Sequence, residues 1–264
     1  MKKTRSILVT GAKGQLGKTI EELYSKNDVN LEFTFVSKEV LNITEPKEVK
    51  LFFNENQFDY CINCAAYTNV EQAEKTPDTA YKVNAEAVKN LAEACKNNNT
   101  VLIHISTDYV FDGEKSEPYE VTDSPNPINE YGKSKLLGEQ YIQNTINNYF
   151  IIRTSWLYSK KYGKNFYKSI LEKAKFEKEL FITDEQKGCP TNTVSLAEFI
   201  YQIIMKRNSN FGIHHFCDEK AMTWYDFAQQ ILIENNLLKK INIVLSNNYR
   251  TFAKRPINSV LKNN

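Results

Sequence analysis

The sequence predicts an α/β fold: a doubly wound parallel sheet with a smaller, partly interleaved C-terminal lobe. Three observations point there. Short β-branched or apolar runs alternate with longer helical patterns over residues 1–155, the signature of βαβ units. A glycine-rich turn, GAKGQLG, joins the first apolar run to the first helical pattern. After Trp156 the alternation continues, but less regularly. With 264 residues, 41% hydrophobic and 25% charged, the chain suits one large domain, or one domain carrying a smaller lobe.

Taken in order, strands are expected at 7–10, 31–36, 59–64, 101–106 and 150–154. Helices at 15–26, 46–54, 79–97 and 130–147 separate them. Each helix carries apolar residues at spacings of three and four, as in Val83, Ala87, Leu91 and Cys95. Residues 112–129 interrupt this rhythm with Pro118, Pro125 and Pro127 and read as a long ordered loop, a kind of segment that usually has a function. Beyond Trp156 come a helix at 165–176, a strand at 180–182, a helix at 195–207, a strand at 213–217 and a helix at 224–235.

Charge and composition exclude several partners. Lys plus Arg number 34 against 32 for Asp plus Glu, a net charge of +2, too weak a field to argue for nucleic acid. No apolar stretch approaches the roughly 20 residues needed to span a bilayer, so no membrane association is expected. MKKTRS reaches Gly11 too soon for a signal peptide, and five cysteines suit a reducing compartment, so a cytoplasmic location is expected. Cys61 and Cys64 form a CxxC within an expected buried strand, where side chains three apart point to opposite faces. Neither redox nor zinc chemistry is expected of them.

Gly11, Gly14 and Gly17, with Lys13, Gln15 and Leu16 between them, form a GxxGxxG turn between strand and helix. Glycine there lets a pyrophosphate approach the backbone, and the helix N-terminus offers unpaired N–H groups. Residues 1–155 therefore read as an NAD(P)-binding domain of Rossmann type, with 180–208 packing back onto it. Residues 156–264 read mainly as a substrate-binding lobe. NAD sites usually carry an acidic residue about 20 positions on, at the tip of the second strand. Here the tip reads Phe35-Val36-Ser37-Lys38. With no carboxylate there, and with Lys13 and Lys38 available to a 2′-phosphate, NADPH is favoured, with NADH as the alternative.

Tyr131 and Lys135 stand four apart at the start of a helix, on one face. A phenol has an ordinary pKa near ~10, and a neighbouring ammonium lowers it, easing proton donation to a developing alkoxide. Thr107 ends an apolar run, where a strand would deliver its hydroxyl to the same crevice. A hydroxyl, a phenol and an ammonium beside a nicotinamide make a carbonyl reductase site. The bland alternative is a surface Tyr and Lys with a strand-capping Thr.

The glycine turn, NCAAYTNVEQAE, AYKVNAEAVKNLAEAC, HISTDYVFDG, PNPINEYGKSKLLGEQ, IIRTSWLYS, GKNF, GCPT, TWYDFA and AKRPINSVL together resemble the dTDP-4-dehydrorhamnose reductases, extended short-chain dehydrogenases/reductases. The match runs in order over nearly the whole chain. The resemblance implies NAD(P)H-dependent reduction of the C4 ketone of dTDP-4-dehydro-L-rhamnose. It implies Tyr131 as proton donor, Lys135 as holder of the nicotinamide ribose, and Thr107 as hydrogen-bond partner of the sugar carbonyl. Ala65, Ala66 and Tyr67 match the family's cofactor-lining stretch, Asn42-Ile43 stands where the family commonly has Asp-Ile near the adenine, and Trp156 matches an aromatic that packs on the sugar. A thymidine diphosphate also needs cations, and Arg255, with Arg250, is the best placed.

Relatives in the superfamily differ chemically. A 4,6-dehydratase usually has Asp-Glu after the threonine, whereas this chain has Asp108-Tyr109. An epimerase would be expected to hold NAD through the acidic residue lacking at the second strand tip. A reductase of another 4-keto nucleotide sugar and a non-catalytic regulatory subunit on the same fold stay open. The family commonly continues past AKRPxNSVL into another helix and sometimes dimerises around magnesium. This tail, LKNN, has no carboxylate, so no metal is carried over, and a monomer or homodimer is expected.

Overall fold

A computed structural model describes residues 4–25, 30–218, 220–246 and 251–264. In chain order its elements begin with β1 (Arg5–Thr10), α1 (Gln15–Tyr24), β2 (Leu31–Val36), α2 (Pro46–Glu55), β3 (Tyr60–Asn63), α3 (Val70–Lys75), α4 (Pro77–Tyr81) and α5 (Ala87–Asn97). There follow β4 (Val101–Thr107), α6 (Glu130–Thr145), β5 (Tyr149–Thr154), β6 (Leu157–Tyr158), α7 (Phe166–Lys173), β7 (Glu179–Ile182), β8 (Lys187–Gly188) and β9 (Thr191–Asn192). The last are α8 (Thr193–Met205), β10 (Gly212–His215), β11 (Met222–Thr223), α9 (Trp224–Glu234) and β12 (Asn242–Leu245).

Six parallel strands form the central sheet in the order β10-β5-β4-β3-β1-β2. The strand order reverses between β1 and β3, and the carboxyl ends flanking that point open the crevice where such sheets take ligands. Both faces are covered, which explains the continuous apolar runs. Leu8, Cys61, Leu102 and Ile151 face α2, α5 and α6 through Val49, Phe53, Leu91 and Ile142. Ile7, Val9, Ile62, Ile103 and Ile152 face α1 and α8 through Leu16, Ile20, Leu196 and Ile200. Cys61 belongs to the first layer and Cys64 packs against the second, so the CxxC side chains do part.

A third apolar cluster, with Tyr158, Tyr167, Leu180, Phe227 and Ile231, is the core of the smaller lobe. A fourth, with Val110, Phe111, Tyr119, Cys189, Cys217 and Leu261, anchors the proline-containing loop, whose Tyr119 bridges Leu261. Among the described residues no helix is long and apolar enough to cross a membrane.

Three details differ from the sequence reading. The helix expected at 79–97 is divided into α4 and α5 by a π-helical turn, Lys82–Glu86. Residues 180–182, expected to pack back on the main domain, lie in β7 and pair with β12 in the smaller lobe; α8 does pack on the sheet. Conversely β10, from the part assigned to the lobe, is the sixth strand of the sheet, added beside β5. Lys26, the expected end of the first helix, and Arg250 lie outside the described residues.

Candidate active site

The turn after β1 is built for close approach. Gly11 has φ +66°, and a Cβ there would stand 2.6 Å from the Ala65 nitrogen at the end of β3. A Cβ on Gly17 would come within 2.7 Å of the Gly11 oxygen. α1 starts after Gly14 with no side-chain cap and no acidic residue in its first turn, so its N–H groups and positive dipole end are left for an anion. Gln15 ties this turn to the lobe: its Nε2 donates to the Leu157 oxygen at 3.0 Å and its Oε1 accepts from Asn165 at 3.1 Å. A phosphate-bearing dinucleotide fits this cradle, which any larger side chain would fill.

The tip of β2 corrects the sequence reading. A carboxylate does stand there: Glu39, which accepts from Ser37 at 2.6 Å and pairs with Lys13 at 2.9 Å. Those two partners hold its carboxyl down at about 2. Lys13 is therefore already ion-paired, while Lys38 is exposed. The Asn42 side chain accepts from Thr44. Ile43 is buried in the core and its carbonyl accepts from Asn90, leaving backbone rather than side chain for a ligand.

A cavity of about 570 Å³ opens at the carboxyl ends of the strands. Of the sequence-picked residues Gly14, Gln15, Leu16, Ala66, Thr107, Tyr131, Lys135, Trp156 and Arg255 line it. Lys13, Ser37, Lys38, Asn42 and Ile43 lie outside its lining, as do Gly11, Gly17, Ala65 and Tyr67. Thr107 ends β4, with its hydroxyl donating to Asp108 at 3.0 Å and accepting from the Tyr109 nitrogen at 3.2 Å. Asn129 caps α6 through the Gly132 nitrogen, which sets Tyr131 in the first turn. Residue 132 must be glycine, because a Cβ there would stand 2.1 Å from the Tyr109 oxygen. The Tyr131 ring meets Tyr109 edge-on, with centroids 5.9 Å apart.

The electrostatics reverse one expectation. Burial pushes the Tyr131 phenol up; the Thr107 hydroxyl works the other way, and Asp108 adds to the rise. Burial brings the Lys135 amine down to about 8, against the pull of Glu139, and its nitrogen bonds the Ile105 oxygen at 2.7 Å and His104 Nε2 at 3.1 Å. Asp108, between Thr107 and Ser155, is pushed up to about 6 by burial, against hydrogen bonds from Ser259, Ser155 and Thr107.

Asn84, in the π-helical turn, clamps the stretch after β3. Its side chain accepts from the Tyr67 nitrogen at 2.8 Å, donates to the Tyr67 oxygen at 2.9 Å and reaches Ser134 of α6 at 3.1 Å. Across the cavity Trp156, held at φ +46°, stacks on Trp224 with centroids 3.4 Å apart. Arg255 reaches the cavity already paired with Glu71 at 2.9 Å. The sequence reading did not single out Asn63, His104, Asn84, Lys164, Phe166 or Trp224. Phe166 and Trp224 stand in the quoted GKNF and TWYDFA, but nothing local shows that these segments reach the cavity.

Comparison with known proteins shows the family and the fold. The family model described as the RmlD substrate binding domain matches residues 5–264. A dTDP-4-dehydrorhamnose reductase of Aggregatibacter actinomycetemcomitans is 39% identical, over 97% of this chain and 90% of its own. A dTDP-4-keto-6-deoxy-D-glucose reductase of Streptomyces niveus is 34% identical, over 84% of this chain and 76% of its own. The crystal structure of dTDP-4-dehydrorhamnose reductase from Bacillus anthracis in complex with NADP superposes with a TM-score of 0.94 at 37% identity, covering 99% of this chain and 91% of that one. The chain belongs to the RmlD substrate binding domain family, that of the dTDP-4-dehydrorhamnose reductases.

Proposed function

We propose that the protein reduces the C4 ketone of dTDP-4-dehydro-L-rhamnose to dTDP-L-rhamnose with NADPH. The observation that carries this reading is the meeting of Thr107, Tyr131 and Lys135 on one cavity beside the uncapped glycine turn. When bound, the reduced dinucleotide supplies a hydride to the carbonyl carbon. The glycine turn and the start of α1 would hold its pyrophosphate, and Lys135 its nicotinamide ribose.

Tyr131 keeps its proton at neutral pH, because burial raises the phenol. It gives that proton up to the carbonyl oxygen as this becomes an alkoxide, a far stronger base than a phenolate. Thr107 turns its hydroxyl to the same oxygen and fixes its position. Trp156 and Trp224 form an apolar wall for the sugar, and Arg255 and Lys164 offer cations to the diphosphate. NADPH fits the NADP complex of the Bacillus anthracis relative, and Glu39 at the β2 tip leaves NADH as a second donor. The protein works in the cytoplasm as a monomer or homodimer, with no nucleic acid or membrane partner.

The Streptomyces niveus relative favours a second reading, reduction of another 4-keto nucleotide sugar. The test is NADPH oxidation with dTDP-4-dehydrorhamnose, comparing wild type with Tyr131→Phe. Wild type turns over, and the variant loses about 10²-fold or more, the scale of general acid catalysis. Turnover only with a different keto sugar selects the second reading, and no turnover with any points to a regulatory subunit. An active Tyr131→Phe enzyme removes the proton-donor role.

A further inference from the structure

Beneath the cavity a buried row of polar groups runs from β1 through β3 and β4 to α6. Thr10 Oγ1 lies 2.7 Å from Asn63 Oδ1, Asn63 Nδ2 lies 3.0 Å from His104 Nδ1, and His104 Nε2 lies 3.1 Å from Lys135 Nζ. Asn63, His104 and Lys135 are 1%, 0% and 1% exposed, so solvent does not relax the arrangement.

The proton positions follow from one fixed donor. The Ala65 backbone N–H, 3.1 Å from Asn63, can only donate, so the amide end facing it is the oxygen. The Asn63 NH₂ therefore points at His104 Nδ1, which must accept. A neutral imidazole that accepts at Nδ1 carries its proton on Nε2, directed at the lysine nitrogen. A neutral amine satisfies that N–H with its lone pair. It then gives one N–H to the Ile105 oxygen and keeps the second for a ligand in the cavity. An ammonium instead sets two donors face to face. Exchanging the imidazole tautomer only moves the conflict to the Asn63 NH₂.

We infer that Asn63 and His104 are positioning residues for Lys135: together they lock the Nε2–H tautomer and so favour the neutral amine of the lysine in the ligand-free protein. The direction agrees with the lowered Lys135 amine and with His104, which burial and the nearby lysine hold well below the usual imidazole range. The other titratable groups around Lys135 are Tyr131 and Glu139 on α6, Arg153 of β5 bonded to Glu139, Asp108 after β4 and Cys64 after β3. Of these, Glu139 alone pulls the amine upward.

Only the lysine pKa read from NADP⁺ binding rests on the proposed reductase site; the tautomer stands without it. The chain has 3 histidines, so ring nitrogen-15 correlation spectra of histidine-labelled, ligand-free protein resolve them, with His104 assigned by its loss in His104→Gln. His104 is expected as the neutral Nε2–H tautomer above about pH 8, where the lysine amine is neutral. An Nδ1–H tautomer or an imidazolium in that range overturns the inference. Asn63→Asp keeps an acceptor for Ala65 and Thr10 but presents an oxygen to Nδ1. It should move the ring proton to Nδ1 and raise the lysine pKa seen in the pH dependence of NADP⁺ binding by about one unit, tenfold in proton affinity. An unchanged tautomer or an unmoved pKa in that variant overturns it as well.

Discussion

The Asn84 backbone oxygen lies where a Cβ on Gly138 would stand only 2.1 Å away. The π-helical turn and α6 thus touch through bare backbone, and that closeness lets the Asn84 side chain span Tyr67 and Ser134. Neither group can retreat, since Asn84 is buried and hydrogen-bonded on both sides. Gly138→Ala should therefore cost about 1–3 kcal/mol of stability, the range of an overpacked core. Denaturant unfolding checks the loss, and NADP⁺ affinity should fall with it as Tyr67 shifts.

Glu39 sets a negative charge beside Lys13 at the β2 tip. Glu39→Ala frees the lysine and removes the repulsion of a 2′-phosphate. The ratio of kcat/KM for NADPH over NADH should rise by up to about fivefold, the reach of one exposed charge pair. A ratio that stays constant or falls would place the adenosine end elsewhere.

Arg255 lines the cavity together with Lys164 and is braced by Glu71, which also accepts from the Phe252 and Ala253 nitrogens. Charge-assisted hydrogen bonds contribute about 1.5–3 kcal/mol. Arg255→Ala should raise KM for the sugar nucleotide about tenfold or more with little change in kcat. Steady-state kinetics at saturating NADPH separate the two; an unmoved KM takes Arg255 out of the substrate site.

His215 sits fully buried against the Tyr119 oxygen, 3.1 Å from its Nδ1, and burial, reinforced by Arg153, lowers it to about 4. The unfolded chain takes up this proton near ~6.5, before the folded one does. Stability is thus complete above about pH 6.5 and is lost as pH falls towards 4, on the order of 3 kcal/mol for this group. Asp108, raised to about 6, contributes with the opposite sign. The clean comparison is with His215→Gln: between pH 7 and pH 5 the unfolding free energy should fall by about 2 kcal/mol less in the variant than in wild type, so that the Asp108 contribution can even turn the fall into a rise.

The sheet and the meeting of Thr107, Tyr131 and Lys135 on one cavity were legible because their signals are local. β1, β3, β4 and β5 each carry a short apolar run, the glycines have to stand between strand and helix, and Tyr131 and Lys135 share a helix face. What escaped depends on partners distant in sequence. Glu39 reaches the strand tip because the chain bends back after Ser37, and nothing in Val36-Ser37-Lys38 reveals that turn. The π-helical turn packs its Asn84 backbone against Gly138, more than 50 residues on. β10 joins the sheet, and Trp224 meets Trp156, through tertiary packing alone. Asn63 and His104 read as ordinary strand residues until the register of β3 and β4 brings them together beneath Lys135.

Trp156 and Trp224 are the 2 tryptophans of the chain, and both stand in one face-to-face pair on the cavity wall. Their coupled transitions should give the folded protein an exciton couplet in its ultraviolet circular dichroism. Indole fluorescence will arise at that single locus. The molecule thus carries a built-in optical reporter, able to register occupancy of the neighbouring space without any attached dye.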